Sequence, residues 1–228
     1  MSDAEPQFTP RSRNWFRFSL RTLLIAITVC CVVLGYWMNQ LIRQRIAVRH
    51  FYELTAKGKN GGQPNWITMG YRYEGKVYSK PQSHKWLHSL IGEEAFGRVT
   101  LVQLLDTQTA DDDLRFLADV PTVEWVKIDN TNVTDKGLRH LLACPKLRVL
   151  ELAGLPITDD GVAKLAEMRQ LEEISLCQTK ITDASLEHLA KMSNLREVLL
   201  CDTAITDAGY QRLKAALPAC KIRRRLED

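Results

Sequence analysis

LRVLELAGLPITDDGVAKLAEMRQ (147–170) and LEEISLCQTKITDASLEHLAKMSN (171–194) align position for position, and their alignment decides the fold. Stepping outward by 24 residues gives VTLVQLLDTQTADDDLRFLADVPT (99–122) and VEWVKIDNTNVTDKGLRHLLACPK (123–146) on one side. LREVLLCDTAITDAGYQRLKAALP (195–218) follows on the other. No insertion breaks the register, so self-similarity at a fixed period organises this half of the chain.

Each unit carries two periods. Its first residues alternate, with apolar columns Val102/Val126/Leu150/Ile174/Val198 and Leu104/Ile128/Leu152/Leu176/Leu200, as a short strand with one buried face requires. An apolar residue (Val133, Ile157, Ile181, Ile205) then precedes a turn. Pairs three apart follow: Leu114/Leu117, Leu138/Leu141, Val162/Leu165, Leu186/Leu189 and Tyr210/Leu213. Such pairs belong on the inner face of a helix of two to three turns. A unit this short cannot bury its apolar face alone. The expected architecture is therefore α/β: a right-handed solenoid of five strand–turn–helix repeats, with a parallel sheet on the concave side and helices on the convex side.

The pattern LxxLxLxxTxITDxxLxxL resembles the cysteine-containing class of leucine-rich repeats. Cys144, three residues before Leu147, stands where that class often places its cysteine; Val120, Met168 and Met192 replace it elsewhere. The whole chain is similar to a bacterial family of membrane-anchored leucine-rich-repeat proteins. These share a segment like Phe18-Ser-Leu-Arg-Thr-Leu-Leu24 and a motif like Trp86-Leu87…Leu90-Ile91-Gly92-Glu93…Phe96 before the first repeat. The resemblance implies a repeat domain outside the cytoplasm and no defined activity.

Upstream of the repeats, residues 1–21 are basic and residues 22–42, TLLIAITVCCVVLGYWMNQLI, carry no charge. At 1.5 Å per residue that run reaches roughly 31 Å, the thickness of a hydrocarbon core. Trp15, Phe16, Phe18, Tyr36 and Trp37 flank it as an interfacial belt would. A cleaved signal peptide is the rival reading. The apolar stretch is long for one and no small-x-small site follows, which favours a retained signal anchor spanning Thr22–Ile42. Arg11, Arg13, Arg17 and Arg21 before the span nearly balance Arg43, Arg45 and Arg49 after it, so charge does not choose an orientation. Residues 43–65 read as a juxtamembrane helix and linker, with Ile46, Val48, Phe51 and Leu54 as apolar contacts of a stiff stalk. Residues 66–98 are the expected N-terminal cap of the solenoid: a hairpin turning at Glu74-Gly75, then a short helix from Ser83 to Gly92. The repeats fill 99–218. Residues 219–228 supply a last strand around Ile222 and a solvated Arg223-Arg224-Arg225 tail.

Charge excludes one class of partner. Residues 1–98 hold 14 Lys/Arg against 6 Asp/Glu, whereas 99–218 hold 13 against 19. The positive excess thus surrounds the apolar segment and not the repeats, the reverse of a nucleic-acid-binding domain. Catalytic motifs (GxSxG, GKS/T, HExxH, GxGxxG, SxxK) do not occur, so no enzyme, cofactor or small-molecule substrate is expected. The column Asp111/Asp135/Asp159/Asp183/Asp207 invites a metal reading, but in four repeats a Thr-Asp pair stands at a helix start, where side-chain oxygens cap free N–H groups. His84 and His88 are four apart without an acidic or Cys partner, and His140 and His188 fall in non-adjacent repeats. No metal is expected from either pair. Cys177 and Cys201 share one outward column within disulfide range, but side-by-side parallel strands rarely aim the Cβ atoms correctly, which favours free thiols. Asn132-Val133-Thr134 matches a glycosylation sequon whose Thr the repeat already explains.

Function then rests on the concave strand positions. Leu101, Trp125, Val149, Glu173 and Glu197 form one column; Gln103, Lys127, Glu151, Ser175 and Leu199 the next; Leu105, Asp129, Ala153, Cys177 and Cys201 the third. The candidate binding residues are Leu101, Trp125, Lys127, Asp129, Val149, Glu151, Glu173, Glu197 and Leu199. An exposed Trp among aliphatics has the character of a binding hot spot. The expectation is a membrane-anchored module that binds an as yet unknown protein or peptide. The alternative is a structural envelope component that self-associates without a specific ligand.

Overall fold

The computed structural model describes residues 20–56, 70–73, 76–78, 98–105 and 108–224. It forms two units, residues 1–39 and 40–228. The described part of the first is the leading portion of helix α1 (Leu20–Ala56), whose apolar side chains from Leu20 to Met38 are exposed.

The second unit is built on one eight-stranded sheet. Its strands are β1 (Gly70–Tyr73), β2 (Lys76–Tyr78), β3 (Arg98–Leu105), β4 (Trp125–Asp129), β5 (Val149–Glu151), β6 (Glu173–Ser175), β7 (Glu197–Leu199) and β8 (Lys221–Arg223). The order is β2-β1-β3-β4-β5-β6-β7-β8. β1 and β2 pair antiparallel with Tyr73 opposite Lys76, on either side of the expected Glu74-Gly75 turn, and β1 pairs antiparallel with β3. From β3 onward every pairing is parallel, and Leu101, Trp125, Val149, Glu173, Glu197 and Lys221 stand side by side. The 24-residue period of the sequence is the register of the sheet. Both apolar strand columns are buried from Val102 to Leu200, beneath a helical layer that contributes Leu114, Leu117, Leu138, Leu141, Val162, Leu165, Leu186, Leu189 and Leu213.

That layer is less regular than expected. The first two units use 3-10 helices, Asp111–Asp119 and Gly137–Ala143. Then come α2 (Asp159–Leu165), α3 (Leu186–Ala190) behind a 3-10 turn (Asp183–Ser185), and α4 (Asp207–Ala216). The chain leaves β4, β5, β6 and β7 through a left-handed residue: Asn130 (φ 54°), Gly154 (φ 70°), Gln178 (φ 56°) and Asp202 (φ 53°). Gly, Asn and Asp tolerate that region, and Gln178 is the member that does so least readily.

The Asp column acts across repeats, which corrects the expectation that each Asp serves its own helix. Asp111 Oδ1 accepts from the Thr134 backbone N–H at 2.7 Å and Oδ2 from its hydroxyl at 2.7 Å. Asp135 receives Thr158 in the same way (2.9 and 2.5 Å), Asp159 receives Thr182 (2.9 and 2.7 Å) and Asp183 receives Thr206 (2.9 and 2.7 Å). Thr182 and Thr206 in turn accept from Ala184 N–H and Gly209 N–H, capping their own helices. The carboxylate comes so close that a Cβ on Gly161 or Gly209 would stand 2.2 Å from Asp135 or Asp183, and one on Gly137 2.6 Å from Asp111. In the one repeat with Ser at that position, Ser185 Oγ donates to Asp159 instead.

Both ends of the second unit differ from expectation. Residues 43–56 are not a stalk: Ala47, Val48 and Phe51 are fully buried in the core and Leu54 packs on it, while Ile46 is 53% exposed. His50 Nε2 lies 2.8 Å from Asp113 Oδ1, and its ring lies 4.1 Å from Phe116. Arg43 lies 3.7 Å from Asp119. The last turns of α1 thus rest on the 3-10 helix Asp111–Asp119. At the other end Arg223 and Arg224 are not part of a solvated tail. Arg223 Nε forms an ion pair with Glu197 at 3.0 Å, at an angle unsuited to a hydrogen bond. Arg224 donates to Asp207 and to Ile205 C=O, and lies over the Tyr210 ring at 5.6 Å. Asp207 accepts from this guanidinium where the earlier Asp residues of the column accept from a Thr. The expected 83–92 helix, His84, His88 and Arg225 lie outside the described residues.

Candidate functional site

The face of the sheet away from the helices carries the predicted binding residues, because alternate side chains of a strand point to opposite faces. Five-residue β4 presents Trp125, Lys127 and Asp129 there, with Val126 and Ile128 in the core. Register sets Leu101 and Val149 on either side of Trp125, and Glu151 beside Lys127.

These side chains are tied to one another. The Trp125 Nε1–H donates to Glu151 Oε1 at 2.9 Å, and Lys127 Nζ donates to Glu151 Oε2 at 2.5 Å. Lys127 also lies 3.1 Å from Asp129, whose Oδ1 accepts from the Ala153 N–H at 3.0 Å. Burial alone would lower the Lys127 pKa, but hydrogen bonds to Glu151 and Asp129 outweigh it and hold the ammonium above its ordinary value. The network fixes the indole while leaving it 38% exposed. With its N–H already satisfied, Trp125 can offer a partner its apolar ring but no donor.

The remaining predicted residues do not join this network. Glu197 pairs with Arg223, and Leu199 lies half-buried beside Arg223 in register. Glu173 is exposed, between Val149 and Glu197, with no ion pair or side-chain hydrogen bond among the described residues. The third column closes rather than opens: Cys177 and Cys201 are buried in the turns after β6 and β7. All six cysteines are free. The Cys201 N–H donates to Cys177 Sγ at 3.3 Å. Burial first, and the neighbouring Cys177 next, push the Cys201 thiol up to about 11. His140 and His188 are half-exposed, and Asn132 is exposed. Among the described residues no group of three or more His, Cys, Asp or Glu could hold a metal ion.

Sequence reasoning missed a second polar feature, on the loops that enter the strands. Arg148 donates to Glu172 at 2.9 Å, and Arg196 lies 3.5 Å from the other oxygen of Glu172. A groove of about 520 Å³ borders them, lined by Glu124, Pro145, Lys146, Arg148, Gln170, Glu172 and Asn194. The second residue of the last four repeats alternates in sign, Glu124/Arg148/Glu172/Arg196, and that column was visible in the sequence. Its Arg148 and Glu172 charges are used within the protein, whereas the open face keeps Glu173 unpaired.

No family model and none of the curated proteins matches the chain. Among solved structures it is similar to an internalin of Listeria monocytogenes at 21% identity and a TM-score of 0.36, over 47% of this chain and 36% of that one. A leucine-rich-repeat protein of Leptospira interrogans matches at 17% and 0.36, over 48% and 27%. A pollen receptor kinase matches at 15% and 0.36, over 64% and 59%. The chain spans less than two thirds of each of these three.

Proposed function

We propose that this chain is a leucine-rich-repeat protein-interaction module, held at a membrane by the leading part of α1, that binds a protein or peptide on the open face of its sheet. The carrying observation is Trp125: an aromatic ring kept partly exposed, flanked by Leu101 and Val149, and oriented by its hydrogen bond to Glu151. Aromatic anchors held rigidly in place dominate protein interfaces, because little side-chain freedom is lost on binding. The five repeats and β8 bring six parallel strands into register, roughly 24 Å across at 4.8 Å spacing, which suits a peptide or one modest epitope. A membrane anchor is supported by the Leu20–Phe51 stretch, long and apolar enough to cross a bilayer. The domain boundaries at 21/22, 42/43, 65/66, 98/99 and 218/219 belong to this reading, with one adjustment: the helical part of 43–65 serves as cap.

The test is photo-cross-linking in living cells from a benzoyl-phenylalanine at position 125 or 173, with exposed position 187 on α3 as control. Discrete adducts from 125 and 173 alone are expected, and they deliver the partner for identification. No adduct, or equal adducts from both faces, would reject an open-face site and favour a structural, self-associating role.

A further inference from the structure

Each other carboxylate in the open-face columns is neutralised from within the protein. Glu151 has Trp125 and Lys127, Asp129 has Lys127 and the Ala153 N–H, and Glu197 has Arg223. Glu173 has no such partner among the described residues, is exposed, and stands in register beside Glu197. The sheet therefore keeps one unneutralised negative charge on this face, two strands from an exposed indole, or about 10 Å at 4.8 Å per strand.

We infer that the occupant of this face is a basic peptide segment of a protein partner. An apolar side chain of the segment rests on Trp125 between Leu101 and Val149, and a Lys or Arg follows it against Glu173. The inference rests on the open-face reading above and adds the chemistry of the partner. Spacing sharpens it. A polyproline II chain rises about 3.1 Å per residue with three residues per turn, so residues three apart share a side and stand roughly 9 Å apart. The motif that fits is apolar-x-x-Lys or apolar-x-x-Arg. An acidic segment, a nucleic-acid phosphate or an anionic lipid headgroup would bring like charge against Glu173.

The test uses the full chain in detergent micelles and fluorescein-labelled Pro-rich peptides of about twelve residues, long enough for several turns of that helix. Each peptide carries one Leu and, three positions on, Lys, Gln or Glu. Fluorescence anisotropy is read for the wild type, Glu173→Gln, Glu173→Lys, Trp125→Ala and, as a control on α3, Glu187→Lys. The Lys peptide should bind the wild type more tightly than the Glu peptide, by a margin that shrinks as salt rises. Glu173→Gln should weaken the Lys peptide about two- to fivefold, as expected for one partly exposed ion pair. Glu173→Lys should reverse the order of the Lys and Glu peptides, and Glu187→Lys should change neither. If Trp125→Ala weakens all three peptides while both Glu173 variants leave the order unchanged, the basic partner is wrong and the open-face site stands. If binding is absent, or responds to neither Trp125 nor Glu173, the inference is overturned; cross-linking from position 125 then decides whether the open-face reading falls with it. Both Glu173 variants sit at an exposed position, and unchanged circular dichroism of either suffices to read the result.

Discussion

At the scale of single residues, the carboxylate of Asp135 and the missing side chain of Gly161 form one device. Asp135 accepts from the backbone and hydroxyl of Thr158, and it can approach because Gly161 presents no Cβ. Asp135→Ala should cost about 1–3 kcal/mol, since it strips a backbone N–H of its acceptor. Gly161→Ala should cost about the same by overpacking, with a Cβ 2.2 Å from that oxygen. The double variant should be markedly less destabilised than the sum, because the methyl then occupies space the carboxylate has left. Denaturant titration of the four proteins checks this, and simple additivity would show that the two residues are not one device. The pairing is hard to read from sequence because Asp135 and Thr158 are 23 residues apart. A Thr-Asp pair on one helix start looks like ordinary capping, and only stacking one repeat on the next brings the Asp to its true partner.

At the scale of elements, strands were legible and the two ends of the repeat array were not. Alternation places Val126 and Ile128 inside and Trp125 and Lys127 outside by the twofold period of a strand alone, and the sheet agrees at each of these residues. The strand register of the open-face residues was legible to the same depth, but the hydrogen bond that orients Trp125 and the burial of Cys177 and Cys201 depend on side-chain packing, which no period encodes. The burial of the last turns of α1 was hidden for a different reason. A juxtamembrane stalk and a core-covering segment can carry the same apolar residues, so Val48 and Phe51 read as contacts of a stalk. Their burial against the first 3-10 helix predicts that Phe51→Ala costs about 3–5 kcal/mol, the range for deleting a fully buried aromatic side chain. Hydrogen exchange should show the loss concentrated at residues 111–119, where α1 rests. Unchanged protection there would mean that the 3-10 helix holds without its cover.

At the scale of the whole repeat array, the Asp ladder links consecutive units from Asp111 to Thr206, and Arg224 closes it at Asp207. Such a chain of like contacts makes the array sensitive to one chemical variable. For Asp159, burial raises the pKa, but hydrogen bonds from Ser185 and Thr182 overcome it and leave the carboxyl below its ordinary value. For Asp183, hydrogen bonds from the Thr206 hydroxyl and backbone N–H do the lowering, helped by Arg212. A carboxyl depressed by folding stabilises the folded state in full above its unfolded pKa, about 3.9 for Asp. That contribution is lost as pH falls through the depressed value. The thermal midpoint should therefore hold steady from neutral pH to about 5 and fall steeply below about 4. Asp159→Asn and Asp183→Asn together should lower the midpoint at neutral pH and flatten its acid limb, because the amides no longer titrate. Differential scanning calorimetry across that range gives the answer. A double variant with the same acid slope as the wild type would place the proton-sensitive contacts outside these two carboxylates and would reduce the ladder to a packing feature.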